Sequence, residues 1–307
     1  MTGPLLQRQE EGFMRDFVSS RRSRLASLAG VVVLSLVAAG VAVGAPPNVA
    51  RLLDYTPQKA DQITNIDILR TEIKNYYGTP TARTGFANCD QNLAPAADSN
   101  YTAEAESVAD AGLRWLKAQA GKSDNQAIVL DVDDTTLVTW NYELCSNWAF
   151  DPVSNGNFVT GQLFPAVPGM VDMVNWAADH GYAVFFLTGR PQSQETPTLG
   201  NLTDDNVAVD AGYADPTDPD GAGPEDGLYT KPAVGSYPGY LDKAQFCASA
   251  IAAGSSCATI PYKSGVRAHI EDLGFDIVGN FGDQYSDLEG GFADRTFKLP
   301  NPNYFLP

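Results

Sequence analysis

Histidine is nearly absent from this chain of 307 residues: only His180 and His269 occur. That scarcity excludes a multi-histidine zinc site and most Ser-His hydrolase schemes, and neither a G-x-S-x-G elbow nor a G-x-x-x-x-G-K-[ST] loop appears. Basic residues are also short, 20 Lys+Arg against 37 Asp+Glu, for a net charge of -17. The first 45 residues carry five Arg against three acids, so removing their +2 leaves -19 on the remainder. Nucleic-acid binding draws its affinity from cations that neutralise phosphates, so a body this acidic is excluded as a nucleic-acid partner. A small anion binds such a body only where local cations or a metal overcome the general field. Four cysteines are too few for a disulfide scaffold, and a chain of this length needs none to bury a core. With 44% apolar residues the chain folds, as one large domain or two small ones.

One long hydrophobic run is present. Leu25 to Ala45 is uncharged over 21 residues and follows Arg15, Arg21, Arg22 and Arg24, a pattern that predicts export, with the run either a cleaved signal or a retained membrane anchor. Small residues at Ala42, Gly44 and Ala45 favour cleavage; Pro46 and Pro47 and the length of the run favour the anchor. Any membrane contact is expected through this segment alone. Cys89, Cys145, Cys247 and Cys257 are even in number and lack C-x-x-C spacing, which suits an oxidising compartment. The preferred pairing is Cys247 with Cys257 and Cys89 with Cys145; four buried thiols are the alternative.

After the leader, one-sided apolar spacing predicts a helix over 61–77 (Ile63, Ile66, Ile68, Leu69, Ile73) and a second over 102–118. From Ala127 short apolar runs alternate with helices, the pattern of a parallel sheet covered on both faces. The predicted strands are 127–130, 183–187, 227–229, 277–281 and 296–299, with helices over 169–179 and 264–273. The expected architecture is α/β, a doubly wound Rossmann-like sheet. Its domains are the leader 1–45, a linker and helical extension 46–126, and a main domain 127–307 with a small cap at about 137–169. Residues 215–226, rich in Asp, Pro and Gly, read as a mobile loop, and Asn100 and Asn201 open matches to the glycosylation triplet.

Three strands end in polar residues at the carboxyl edge of the sheet, where open α/β folds bind ligands. The first ends Asp131-Val132-Asp133-Asp134-Thr135, the second Thr188-Gly189-Arg190, and the fourth Gly282-Asp283 with Asp287 four residues on; Lys263 opens the helix before that fourth strand. A lone D-x-D-x-T is weak, because acidic strand ends are common caps; four elements in this order are far more specific.

The order resembles the haloacid dehalogenase-like superfamily and, within it, the secreted acid phosphatase branch of bacterial class B, class C and plant enzymes. Ile128-Val129-Leu130-Asp131-Val132-Asp133, Leu187-Thr188-Gly189-Arg190 and Tyr262-Lys263-Ser264-Gly265 carry the resemblance, which spans 127–307. Thr136 departs from the aliphatic residue usual there. The resemblance implies an exported Mg²⁺-dependent hydrolase of small phosphomonoesters, with Asp131 as nucleophile and Asp133 as general acid and base. It implies phosphate binding by Thr188, Gly189 and Lys263, and metal ligation by Asp131, Asp133 (through its carbonyl), Asp283 and Asp287. Arg190 either joins the phosphate ligands or pairs with a loop acid. Chemistry agrees with these roles: an aspartyl phosphate splits one hard hydrolysis into two displacements, and four carboxylates need a cation, for which Mg²⁺ is suited. Four ionised carboxylates give -4, Mg²⁺ and Lys263 raise this to -1, and protonating Asp133 makes the site neutral, which favours acidic conditions.

Two other readings compete. One is a non-catalytic acidic storage or binding protein on the same fold; the other is a phosphotransferase that uses the same Asp131. The aromatic residues of 137–169 (Trp140, Tyr142, Trp148, Phe150, Phe158, Phe164) either stack on a leaving group or form the core of the cap.

Overall fold

The central strands of the sheet are buried on both faces, so they read as apolar runs without alternation. The computed structural model describes residues 56–79, 89, 91–204, 207, 209–221 and 223–306. The leader at 1–45 lies outside the described residues; among those described, no helix is long and apolar enough to cross a membrane. In chain order the elements are α1 (Ile66–Tyr76), α2 (Asn100–Gln119), β1 (Gln126–Leu130), α3 (Trp140–Ser146), α4 (Pro152–Thr160) and α5 (Met170–Asp179). There follow β2 (Ala183–Pro191), α6 (Glu195–Thr203), β3 (Leu228–Lys231), α7 (Ala248–Ala252), α8 (Thr259–Asp272), β4 (Asp276–Gly282), α9 (Tyr285–Leu288) and β5 (Thr296–Lys298).

The sheet runs β3-β2-β1-β4-β5 and every neighbouring pair is parallel. The chain moves outward from β1 through β2 to β3, then crosses to the other side of β1 for β4 and β5. The crevice between β1 and β4 is therefore a topological switch point, open at the carboxyl ends of the strands. Leu130 pairs with Phe186 on one side and Phe281 on the other, which brings the three polar strand ends to one edge.

Alternation along the strands sends side chains to two cores. Ile128, Leu130, Val184 and Phe186 meet α2 and α5 (Ala105, Ala109, Leu116, Met170, Met173, Val174). Ala127, Val129, Phe185 and Leu187 meet Tyr262, Val266 and Ile270 of α8 and the Cys247–Cys257 disulfide. Cys89 is joined to Cys145, so the preferred pairing is the one formed. Gly112 lets α2 approach closely, since a Cβ there would lie 2.6 Å from the Met173 sulfur and 2.7 Å from Phe281.

Two helix starts differ from expectation. α1 begins at Ile66, with Asn65 accepting from the Asp67 and Ile68 N–H groups, because this cap outcompetes the apolar spacing that begins at Ile63. Ile63, Ile66, Ile68 and Leu69 are exposed and only Ile73 of that stripe is buried. α8 begins at Thr259 rather than Ser264 because Pro261 falls in its first turn, where a missing N–H costs nothing. Helices α3, α4, α6 and α7 lie where the sequence shows no clear apolar period.

The segment 137–169 uses its aromatic residues in packing. Trp140 stacks on Tyr77 at 4.1 Å, Tyr77 on Tyr101 at 4.3 Å, and Phe158 on Phe164 at 6.0 Å. Trp140, Tyr142, Phe158 and Phe164 are all buried, whereas Phe150 is exposed. The stacking role considered for Trp140 and Tyr142 is thereby overturned, and α1 and α2 are built into the same core as this segment. Asn201 is fully buried and donates to the Phe164 and Val209 carbonyls, so it is no glycan acceptor in the folded protein. Thr217 is tied to β2 through both its N–H and its hydroxyl.

Candidate active site at the carboxyl edge of the sheet

β1 continues straight into Asp131, whose N–H donates to the Phe281 carbonyl at 3.0 Å and fixes the strand end against β4. The next residues turn back: Thr136 and Leu137 N–H groups both bond the Val132 carbonyl. Asp134 takes a left-handed conformation at φ 54°. Thr136 uses its hydroxyl on the Asp131 and Val132 carbonyls, each at 3.2 Å, which explains a polar residue at a buried position.

Lys263, one turn into α8, is 2% exposed and reaches both Asp131 Oδ1 and Asp287 Oδ1, the latter at 2.6 Å. Asp287 Oδ2 accepts the Gln284 N–H at 2.8 Å. Gly282 makes this turn possible: a Cβ there would lie 2.4 Å from that of Asp287. Asp283 accepts from Thr135 at 3.3 Å, Gln284 at 2.6 Å and Asn301 at 2.7 Å. Carboxylate oxygens of Asp131, Asp283 and Asp287 all lie within 4.8 Å of one another. An all-oxygen trio this close, with a single ammonium beside it, fits a hard divalent cation.

The electrostatics say the same. Burial pushes the Asp283 carboxyl up to about 7, helped by Asp287 and Asp134, while Asn301 and Gln284 oppose the rise. Burial also raises Asp131 well above the usual carboxylate range, with Lys263 pulling it back and Asp287 and Asp283 adding to the rise. For Lys263 burial works against the ammonium, but Asp131 and Asp287 outweigh it and hold its pKa above the usual lysine value.

Asp133 points elsewhere. Arg190 holds it from Nη2 at 2.6 Å and from Nε at 3.1 and 3.2 Å, while Nη1 donates to Thr198 at 3.0 Å and the guanidinium lies 5.3 Å from the Phe164 ring. Of the two roles open to Arg190 the structure forms the ion pair: its guanidinium is engaged with an acid rather than presented as a phosphate ligand. The charge count of the site therefore includes a second cation. Arg190 adds one positive charge to the four carboxylates and Lys263. Thr188 is fully buried and its oxygen accepts the Arg190 N–H at 3.1 Å, leaving its own proton to donate. Gly189 is exposed, with nothing within 4 Å of where a Cβ would stand.

Asp131, Lys263, Asp283 and Asp287 thus form one cluster, and Asp133, Arg190 and Thr188 a second beside it. Sequence reasoning missed Gln284 and Asn301, which hold Asp283, and Arg267, fully buried, which donates to the Asp287 and Gly291 carbonyls at 2.7 and 2.9 Å. It also missed Asp134 and Glu143, each raised to about 7 by burial. His180 stacks on Trp176 and His269 on Tyr240.

Comparison with known proteins gives the family. Acid phosphatase 1 of Solanum lycopersicum is 28% identical over 211 residues, 67% of this chain and 69% of its own length. Vegetative storage protein 2 of Arabidopsis thaliana is 26% identical over 212 residues, 67% of each chain. A class C acid phosphatase structure from Bacillus anthracis aligns with a TM-score of 0.47 at 18% identity, covering 68% of this chain and 80% of that one. The model of the HAD superfamily, subfamily IIIB (acid phosphatase), matches residues 69–218 and 242–307, taking in most of α1, all of α2 and every strand of the sheet except β3. The chain belongs to that family, and it is a phosphoric monoester hydrolase.

Proposed function

We propose that the protein is an exported Mg²⁺-dependent acid phosphatase acting on small phosphomonoesters through a phospho-aspartate on Asp131. The observation that carries the reading is the meeting of Asp131 with Lys263, Asp283 and Asp287 at the switch point of the sheet.

An Asp131 carboxylate oxygen attacks phosphorus, and the bond to the ester oxygen breaks. Asp133 gives its proton to that leaving oxygen. Asp133 then takes a proton from water, whose oxygen attacks phosphorus and breaks the bond to Asp131, releasing inorganic phosphate. Thr188 and the Gly189 N–H donate to the phosphoryl oxygens, and Lys263 supplies fixed positive charge there. Arg190 positions Asp133. Asp131, Asp283 and Asp287, with the carbonyl of Asp133, would hold Mg²⁺, which when bound neutralises charge on the transferring phosphoryl group.

Residues 127–307 are assigned to the phosphatase domain, about 137–169 to its cap, 46–126 to a linker and helical extension and 1–45 to the export leader. Two disulfides support an oxidising compartment. A second reading, storage without catalysis, draws on the vegetative storage protein relative; the full set Asp131, Asp133, Thr188, Lys263 and Asp283 argues against it.

Phosphate release from an aryl phosphate by protein lacking residues 1–45 tests the proposal. Activity that needs both Mg²⁺ and Asp131, and is lost in Asp131→Asn, supports it. A folded protein inactive on a broad phosphoester panel overturns it in favour of storage.

A further inference from the structure

A cleft of about 490 Å³ opens beside the candidate active site, at the carboxyl ends of β2 and β3. Its volume falls in the range of small-molecule sites. Gly189 and Pro191 of β2 line it, on the strand that also carries Thr188 and Arg190. Pro232, Ala233 and Val234, which follow β3, add apolar surface, and Gln192, Ser193 and Ser256 add polar groups.

Lys231 is the one charged side chain among the residues that line this cleft. Lys231 lies beside Pro191 in the β2–β3 register and is half-buried. Its ammonium sits 5.9 Å from the Tyr262 ring. Among the described residues no carboxylate lies within 4 Å of it, whereas Arg190, Lys243 and Lys263 each hold an acid. In a chain with nearly twice as many acids as bases, a half-buried lysine that faces a cleft instead of an acid is an unusual expense. Burial, with Lys263 nearby, pulls its pKa below the usual lysine value, and an anion in the cleft would reverse that.

We propose that this cleft is a leaving-group subsite in which Lys231 binds a second anionic group, so that preferred substrates are phosphomonoesters whose leaving group has an apolar body ending in a carboxylate, sulfate or second phosphate. The inference rests on the phosphatase reading above. The phosphoryl group at Asp131 directs its ester oxygen past Gly189, and the apolar walls take the body of the leaving group. Lys231 then supplies the local cation that an acidic protein needs to accept a second negative charge.

The test compares phenyl phosphate with its para-carboxylate derivative at low ionic strength. The wild-type protein is expected to favour the carboxylated ester by about five- to tenfold in kcat/KM, mainly through KM, the worth of one partly desolvated ion pair. That preference shrinks as salt is added. It falls towards unity in Lys231→Met, inverts in Lys231→Glu and survives in Lys231→Arg. Val234→Glu, at an exposed position of the rim, lowers it without touching Lys231, which covers the case in which the lysine variants fold poorly. No preference in the wild type, or an equal loss on both esters in Lys231→Met, overturns the subsite. Failure to hydrolyse either ester would instead overturn the phosphatase reading.

Discussion

Lys263→Met removes the ammonium that separates two buried carboxylates while keeping the apolar stem. Lys263 is 2% exposed, Asp131 and Asp287 are nearly as buried, and both lean on the same nitrogen. Truncating one partner of a buried ion pair leaves uncompensated charge and costs about 3–5 kcal/mol. For a domain of this size that corresponds to a melting temperature lower by about 6–20 °C. The sign of the pH dependence follows from the carboxylates. Burial already raises the folded Asp131 carboxyl above the unfolded value of about 3.9, and losing the lysine raises it further, so the stability deficit is small below about pH 4 and grows as pH rises towards neutrality. Differential scanning calorimetry of wild type and variant in chelator, at about pH 4 and about pH 7, reads this directly. Added Mg²⁺ should recover part of the loss at neutral pH, and activity should fall by roughly 10²–10³. An equal deficit at both pH values, or one under about 1 kcal/mol, would refute the electrostatic account of Lys263.

Three further outcomes are expected. Asn301→Ala removes the 2.7 Å bond to Asp283 and should weaken Mg²⁺ binding roughly 10- to 100-fold by titration calorimetry, with an unchanged affinity counting against the cluster as the metal site. Gly282→Ala forces a Cβ to 2.4 Å from that of Asp287 and should cost about 1–3 kcal/mol in urea unfolding, as overpacking does; a neutral result would mean that the turn is slack. In metal-free protein Asp283, Asp134 and Glu143 are each raised to about 7, mainly by burial. A raised carboxylate contributes stability that is present below about pH 4 and lost as pH rises through about 7. Melting temperature in chelator should therefore fall over that window, and excess Mg²⁺ should flatten the fall; a flat curve in chelator contradicts the assignment.

The sheet was legible because a parallel strand buried on both faces leaves a continuous apolar run: Ala127 to Leu130 and Ala183 to Leu187 coincide with β1 and the first part of β2. Asp131, Thr188 and Asp283 were legible for the same reason, since each sits where such a run ends. What escaped was contact between distant segments. Nothing local marks Arg190 as the partner of Asp133, 57 residues away, or Asn301 as a support for Asp283. Trp140 and Tyr142 have the composition of a binding surface, and contact with Tyr77, which follows α1 more than sixty residues earlier, shows that Trp140 is core. Helices α3 and α4 are short and carry little periodicity, so tertiary packing rather than propensity defines them.

The central claim is that Asp131 carries the phosphoryl group. Asp133→Asn should let that adduct form from an aryl phosphate and slow its hydrolysis, so acid quenching followed by peptide mass spectrometry tests the claim directly. The account predicts one added phosphoryl mass on the Asp131 peptide, dependent on Mg²⁺ and absent in the Asp131→Asn, Asp133→Asn double variant. Turnover with no adduct at any quench time, together with inversion rather than retention of configuration at the phosphorus of an isotopically chiral ester, would contradict it.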